Sequence, residues 1–241
     1  HLPGEKLFVD WAGQCVPIQN PADGSTHPAS LFVAVLGASN KMYVEAFADQ
    51  KLPAWISAHV HAFGFYGGIT PLTVPDNTRT AVVKCSRYEP LLHRTYQEMA
   101  EHYGTTIIPA RPHRPRDKAK VETAVQIAQR QILAALRDMR FFSIGELNQA
   151  IRPLLDQINA QPFQKLEGSR NQWFESLDKP QLKALPSQPY VLAIWSEATV
   201  NIDYHVAVDH HYYSAPCGLL HQRLQVRLSD TTVELFHKTQ R

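Results

Sequence analysis

The sequence predicts a mixed α/β core followed by a small antiparallel β unit, and three observations carry the prediction. Segments with strand and helix patterning follow one another as three strands, a helix, a strand, a helix, a strand and a long helix, an order that packs as a five-stranded mixed sheet flanked by helices. Residues 160–189 are punctuated by Pro162, Pro180, Pro186 and Pro189, as a linker would be. From Tyr190 onward apolar residues alternate at Val200, Ile202, Tyr204, Val206 and Val208, which predicts a small β-barrel.

In order, Leu7 to Trp11 reads as a strand, and Gln14 to Gln19 reads as a second strand returning beside it. Asp23-Gly24 supplies a turn. Leu31 to Gly37 is a continuous apolar run, predicted to be a strand buried on both faces. Met42 to Phe47 follows the Ser39-Asn40 turn as another strand. Leu52 to Phe65 carries apolar residues at helical spacing and ends at Gly67-Gly68. Ile69 to Val74 is a short strand stopped by Pro75-Asp76-Asn77. Pro90 to Tyr103 is read as a helix with proline at its start, ended by Gly104. Thr105 to Pro109 is the fifth strand. Residues 109–116, rich in proline and arginine, are read as non-helical. A long helix is predicted over about Asp117 to Arg137, its core stripe Val121, Val125, Ala128, Ile132 and Ala135. A last helix covers Ile144 to Asn159. The expected domains are 1–160 for the core, 161–189 for a linker that closes it, and 190–241 for a truncated barrel.

With 44% hydrophobic and 19% charged residues among 241, the chain is globular rather than disordered. Its apolar runs are too short for a membrane helix, and no basic segment followed by an apolar stretch marks a signal peptide. The start at His1 is read as an excision from a longer protein. Cys15, Cys85 and Cys217 lie 70 and 132 residues apart, which fits neither zinc nor disulfides, so reduced and partly buried thiols are expected. His59 and His61 fall on different faces of one helix, and His210 and His211 diverge along a strand, so a histidine metal site is disfavoured. Net charge is only +2, but residues 111–140 hold eight Lys or Arg against three acids, which is 8 − 3 = +5 and leaves the rest at 2 − 5 = −3. A local basic stripe can neutralise phosphates while the whole chain stays near neutral.

Three acids occupy unusual places. Asp10 lies inside a strongly apolar strand, where an uncompensated carboxylate costs several kcal/mol and a cation removes the cost. Asp76 ends the fourth strand. Glu122 borders the apolar stripe of the long helix, on a face with Lys118, Gln126 and Gln129. Three convergent carboxylates can hold two divalent ions about 3.5–4 Å apart, the arrangement that serves in-line displacement at a phosphodiester. Spacing alone leaves a bland alternative open, in which Asp10 pairs with a basic residue and Glu122 makes an i,i+4 ion pair with Lys118.

The contexts of these acids narrow the choice. Leu7-Phe8-Val9-Asp10-Trp11-Ala12-Gly13, Val74-Pro75-Asp76-Asn77-Thr78-Arg79-Thr80-Ala81-Val82 and Arg114-Pro115-Arg116-Asp117-Lys118-Ala119-Lys120-Val121-Glu122 resemble three blocks of the DDE transposases and integrases, whose core is ribonuclease-H-like. Within that superfamily the chain is most similar to the IstA-type transposases of insertion sequences. The likeness covers most of residues 5–180. Arg170 to Leu185 resembles the segment that closes the integrase core, and the tail resembles the β-barrel that follows it.

The resemblance implies that Asp10, Asp76 and Glu122 are the catalytic and metal-binding acids, holding two Mg²⁺ ions, with Mn²⁺ as substitute. It places Lys118 near DNA. Arg111, His113, Arg114, Arg116 and Lys120 join it as candidate DNA-backbone contacts, because the stiff basic loop leads straight into the Glu122 helix. Two departures stand out: Asp76 and Glu122 are 122 − 76 = 46 positions apart, longer than in retroviral integrases, and Thr78 stands where many relatives carry glycine. The implied activity is 3′-end cleavage and strand transfer of an insertion sequence. The implied partners are transposon-end and target DNA, further copies of the chain, and an IstB-type ATPase helper, since no phosphate-binding Gly-rich loop occurs here. The expected location is the bacterial cytoplasm, at the nucleoid. Two other readings stay open: a non-catalytic DNA-binding or assembly module with a degenerate core, and a structure-specific nuclease of the same fold.

Overall fold

The computed structural model describes residues 1–75, 82–84, 91–92, 94–110, 115–238 and 240–241, with backbone alone at 82–84, 91–92 and 115–119. The chain divides into two compact units, His1–Pro189 and Tyr190–Arg241.

The first unit is built on a five-stranded sheet in the order β3-β2-β1-β4-β7. Strand β1 (Lys6–Gln19) pairs antiparallel with β2 (Thr26–Leu36), which pairs antiparallel with β3 (Met42–Phe47). After helix α1 (Leu52–Tyr66), strand β4 (Leu72–Pro75) joins the other side of β1 in parallel. Short strands β5 (Val82–Lys84) and β6 (Leu91–Leu92) form a separate hairpin, and helix α2 (Arg94–Tyr103) leads to β7 (Thr106–Ile107), parallel to β4. Helix α3 (Pro115–Ile127) continues through a π-helical stretch at Ala128–Leu133 into a last turn, α4 (Ala134–Leu136). Helix α5 (Ile144–Ala160) and the short α6 (Arg170–Trp173) follow, the latter running on through Phe174–Asp178 and Lys179–Gln181.

Five local readings are revised. The segments at Leu7 and Gln14 are one long strand, not two, interrupted by a bulge in which Trp11 still opposes Phe32 while Cys15 opposes Ser30. A bulge adds residues on one strand without ending the ladder. Helix α2 starts at Arg94 rather than Pro90, because Leu91 and Leu92 are drawn into pairing with Lys84 and Val82. Helix α3 starts at Pro115, inside the stretch read as non-helical, since proline is tolerated in a first helical turn. The stripe that α3 and its continuation bury is Val121, Ala124, Ala128, Ile132 and Leu136, whereas Val125 is half-buried and Ala135 exposed. The observed stripe steps by 3, 4, 4 and 4: Ala124 replaces Val125 within the α-helical part, and after the π-helical turn at Ala128–Leu133, which is wider per turn, Leu136 replaces Ala135. The two described thiols, Cys15 and Cys217, are exposed rather than partly buried.

The sheet separates two apolar layers. Along β1, Leu7, Val9 and Trp11 face α1 and α2, where Trp11, Phe32, Trp55, His59 and Tyr96 form an aromatic cluster. Phe8, Ala12 and Val16 face the opposite layer, packed with Val33, Val44, the buried stripe of α3, and Leu147, Ile151 and Leu155 of α5. Helix α5 also covers the free edge of the sheet. Its Asn159 carboxamide accepts from Met42 N–H at 2.9 Å and donates to Met42 C=O at 2.9 Å, and Asn148 does the same at Ala46 at 2.7 and 3.0 Å. Two side chains thus stand in for part of a sixth strand at an edge that would otherwise invite pairing. Ser143 caps α5 by accepting from Glu146 N–H at 3.1 Å, while the Glu146 carboxylate accepts from Phe142 N–H at 2.8 Å.

The second unit holds a three-stranded antiparallel sheet, β12-β11-β8, and a hairpin of β9 and β10. The strands are β8 (Ala193–Thr199), β9 (His205–Val208), β10 (His211–Ser214), β11 (Arg223–Ser229) and β12 (Val233–Phe236). They close around Val200, Val206, Ala215 and Leu224. Among the described residues, no helix is long and apolar enough to cross a membrane.

Candidate active site

Asp10 sits between two buried residues of β1, Val9 and Trp11, and opposes Val33 of β2. Side chains alternate along a strand, so Asp10 shares the face of Phe8 and Ala12, the face that α3 covers. It is half-buried, and its Oδ1 accepts from the amide of Trp11 at 2.8 Å.

Helix α3 crosses this face in the same direction as β1. Near its start Lys120 reaches the turn between β2 and β3. Past its end, Phe141 accepts from the amide of Gln19 at 2.8 Å, at the far end of β1. Glu122, two residues into that path, therefore lies near the beginning of β1 rather than its end.

Rotation about the helix fixes the side on which Glu122 stands. Val121 is buried toward the sheet. At about 100° per residue, Lys120 and Glu122 flank it on opposite sides. Lys120 donates to Asn40 Oδ1 at 2.6 Å, on the side of β2 and β3. Glu122 stands on the other flank of the helix from Lys120 and is exposed.

Strand β4 ends at Pro75, whose partner on β1 is Val9, the residue before Asp10. Asp76 is bonded directly to Pro75 and lies outside the described residues, as do Arg111, His113, Arg114 and Cys85. Arg116 and Lys118 fall in the first turns of α3, where the backbone alone is described. Lys120 is half-buried, and its ammonium is held by Asn40 within the fold. Burial lowers the Lys120 pKa from its ordinary value, and the charge of Asp178 opposes that effect. Among the described residues no three His, Cys, Asp or Glu side chains gather as a metal cluster. Asp10 and Glu122 are the two of the three predicted acids in that set.

Among the described residues the histidines form no metal cluster. His59 is fully buried: Nδ1 bonds the Trp55 carbonyl at 2.7 Å and Nε2 bonds the Tyr96 hydroxyl at 3.0 Å. Burial pushes its pKa down to about 4, against the lifting effect of the Trp55 carbonyl, so the ring is neutral. His61 is exposed and bonds Glu45 at 2.9 Å, which raises its pKa from the ordinary value.

Comparison with known proteins places this arrangement. Residues 185–241 match the family described as Mu transposase, C-terminal domain. The chain is 46% identical over 241 residues to a putative transposase for insertion sequence IS1162 of Pseudomonas fluorescens, covering 100% of this chain and 43% of that protein. It is 25% identical over 228 residues to the transposase for insertion sequence element IS21 of Pseudomonas aeruginosa, covering 94% of this chain and 57% of that protein. Among solved structures, the HTLV-2 integrase catalytic core domain in complex with magnesium aligns with TM-score 0.52 at 18% identity, over 72% of this chain and 97% of that one. The chain belongs to the transposase and integrase superfamily.

This transposase relative spans about half the length of the curated proteins it matches, 43%, 46% and 47% for three of them. Its five-stranded sheet with flanking helices is the integrase-core fold, and small antiparallel sheets follow in the C-terminal unit. Sequence reasoning overlooked the polar groups that hold this transposase-like core together: Asn148 and Asn159 of α5, which bond the edge strand β3, Asn40 beside Lys120, and buried Asp178. Ser39-Asn40 was legible as a turn, but only the fold shows which helix the turn grips.

Proposed function

We propose that this chain is the catalytic core of an insertion-sequence transposase, in which Asp10, Asp76 and Glu122 hold divalent metal ions and direct phosphoryl transfer in DNA. The observation that supports the reading is the flank of α3 on which Glu122 stands. The helix buries Val121 and sends Lys120 to Asn40, so Glu122 projects from the opposite flank, and the reading takes that flank to face Asp10 and the end of β4. The reading requires Asp76, next after Pro75, to continue the alternation of Val74 and so share the face of Asp10.

The donor set fits the ion. Three carboxylates supply hard oxygen ligands, as Mg²⁺ prefers, and leave coordination positions for substrate phosphates. Asp10 is half-buried between Val9 and Trp11, a setting in which a divalent cation would be only partly screened by water. When bound, such ions activate a water or hydroxyl and neutralise charge at the reacting phosphate. Asp10 and Asp76 are assigned to both ions and Glu122 to one. The Trp11 amide holds one oxygen of Asp10 and so restricts its rotation. Water frees a 3′-hydroxyl at the transposon end, and that hydroxyl then attacks target DNA, with no covalent enzyme intermediate.

Arg111, His113, Arg114, Arg116 and Lys118 are assigned to the DNA backbone, in the segment leading into α3. The working assembly is an oligomer of the full-length protein on paired DNA ends, served by an IstB-type ATPase. Glu122→Gln in the full-length protein is the test. Cleavage and joining of a duplex carrying the element's own terminus should be lost while binding of that duplex is kept. A fully active variant would end the proposal.

A further inference from the structure

We propose that Lys120 and Asn40, anchored by the buried carboxylate of Asp178, are positioning residues that set the rotation of the Glu122 helix over the active site. The inference rests on the reading of Glu122 as a metal-binding acid and concerns what holds that acid in place.

Asp178 is 1% exposed, and each of its oxygens accepts from a different turn. Oδ1 takes the amide of Gly4 at 2.6 Å, and Oδ2 takes the amide of Ser39 at 2.9 Å. Ser39 is itself fully buried, and its hydroxyl oxygen accepts from the amide of Lys41 at 3.1 Å. The turn between β2 and β3 is thus fixed from beneath. Asn40, next in that turn, stands at φ 57°, in the left-handed region where asparagine is among the few tolerated residues. This conformation is accompanied by the bond from Lys120 Nζ to Asn40 Oδ1, at 2.6 Å.

The buried stripe from Val121 to Leu136 sets the face the helix presents, but near its start only the small Ala124 follows Val121 into the core. A second contact on one flank fixes the roll there. Because Lys120 and Glu122 stand on opposite flanks of Val121, a roll that releases Lys120 lifts or lowers the Glu122 carboxylate. Displacement of about 1 Å at a reacting centre costs about a hundredfold in rate, and loss of an outer support costs about ten- to a hundredfold in metal affinity or activity.

The test compares Lys120→Met, which keeps the apolar stem, with Asn40→Gly, which keeps the left-handed backbone. Both are made in the full-length protein, and Mn²⁺ binding is titrated by calorimetry. Each should lower kcat for cleavage of the terminal duplex about tenfold or more while leaving KM for DNA unchanged. Each should also weaken Mn²⁺ binding about tenfold. The double variant should be no worse than either alone, and Asn40→Asp, which keeps an acceptor, should restore the rate. Wild-type rate and Mn²⁺ affinity in Asn40→Gly overturn the inference. So does multiplication of the two effects, or a Lys120→Met defect confined to DNA affinity, which would make Lys120 a phosphate contact. Glu122→Gln separates the two levels. If that variant is dead while Asn40→Gly is normal, only the positioning role fails; if it is active, the metal-acid reading fails first.

Discussion

Asn159→Ala should destabilise the core unit far more than Asn148→Ala, although both residues make the same pair of bonds to the same strand. Asn159 is 1% exposed, and both its bonds to Met42 measure 2.9 Å. Truncation leaves a buried amide and a buried carbonyl with no replacement. Each stranded group costs about 1–3 kcal/mol, so the total is roughly 2–6 kcal/mol. For a unit of this size each kcal/mol lowers Tm by about 2–4 °C, so the loss is on the order of 4–24 °C. Asn148 is half-buried, and its bonds to Ala46 are 2.7 and 3.0 Å. Water can take its place, which limits the cost to about 1 kcal/mol. Urea unfolding of the two variants, read as the shift in midpoint at constant slope, measures the difference. If Asn148→Ala costs as much as Asn159→Ala, or more, desolvation of the edge strand is not the governing term and the reasoning fails.

Other expectations follow from the same structure. His59, with its pKa pushed down to about 4 by burial, titrates near 6.5 when unfolded, so the unfolded chain binds more protons between those values. Its stabilising effect is complete above about pH 6.5 and is lost as pH falls toward 4, by roughly 3 kcal/mol. Urea midpoints should fall accordingly, and His59→Gln should flatten that slope. His61 behaves oppositely: Glu45 raises its pKa, so the small, half-screened contribution is present below about pH 6.5 and fades as pH rises through the raised value. In Glu45→Gln, NMR titration should show the His61 pKa moving down. Gly68→Ala should destabilise the core by about 1–3 kcal/mol, because a Cβ there would lie 2.7 Å from Leu182 Cβ and 2.9 Å from the Lys183 carbonyl oxygen. Calorimetry that shows no change in Tm would mean that the closing segment is not seated as described.

Strong local patterning made the large elements legible. The apolar run from Leu31 reports a strand buried on both faces, while the helical spacing from Leu52 and the alternation near Val206 each report one period. What the sequence concealed depends on tertiary pairing. The bulge after Trp11 is visible only once β2 supplies a register, and Leu91 and Leu92 join a hairpin because Lys84 and Val82 are beside them. At the end of the α3 stripe Leu136 is buried in place of Ala135, after a π-helical turn that reflects packing rather than a composition signal. At the candidate site the acids were legible because a carboxylate such as Asp10 is conspicuous in an apolar strand. Their supports were not. Asp178, Asn40 and Lys120 are separated by 80 or more positions from at least one partner, and an asparagine in a turn or a lysine in a basic stretch gives no sign of being gripped.

The most direct measurement is a crystal structure of the protein soaked in Mn²⁺, with anomalous scattering used to locate the ions. The account predicts density among the carboxylates of Asp10, Asp76 and Glu122, with Glu122 reaching in from the flank opposite Lys120. Carboxylates that diverge, with no manganese among them, would contradict it.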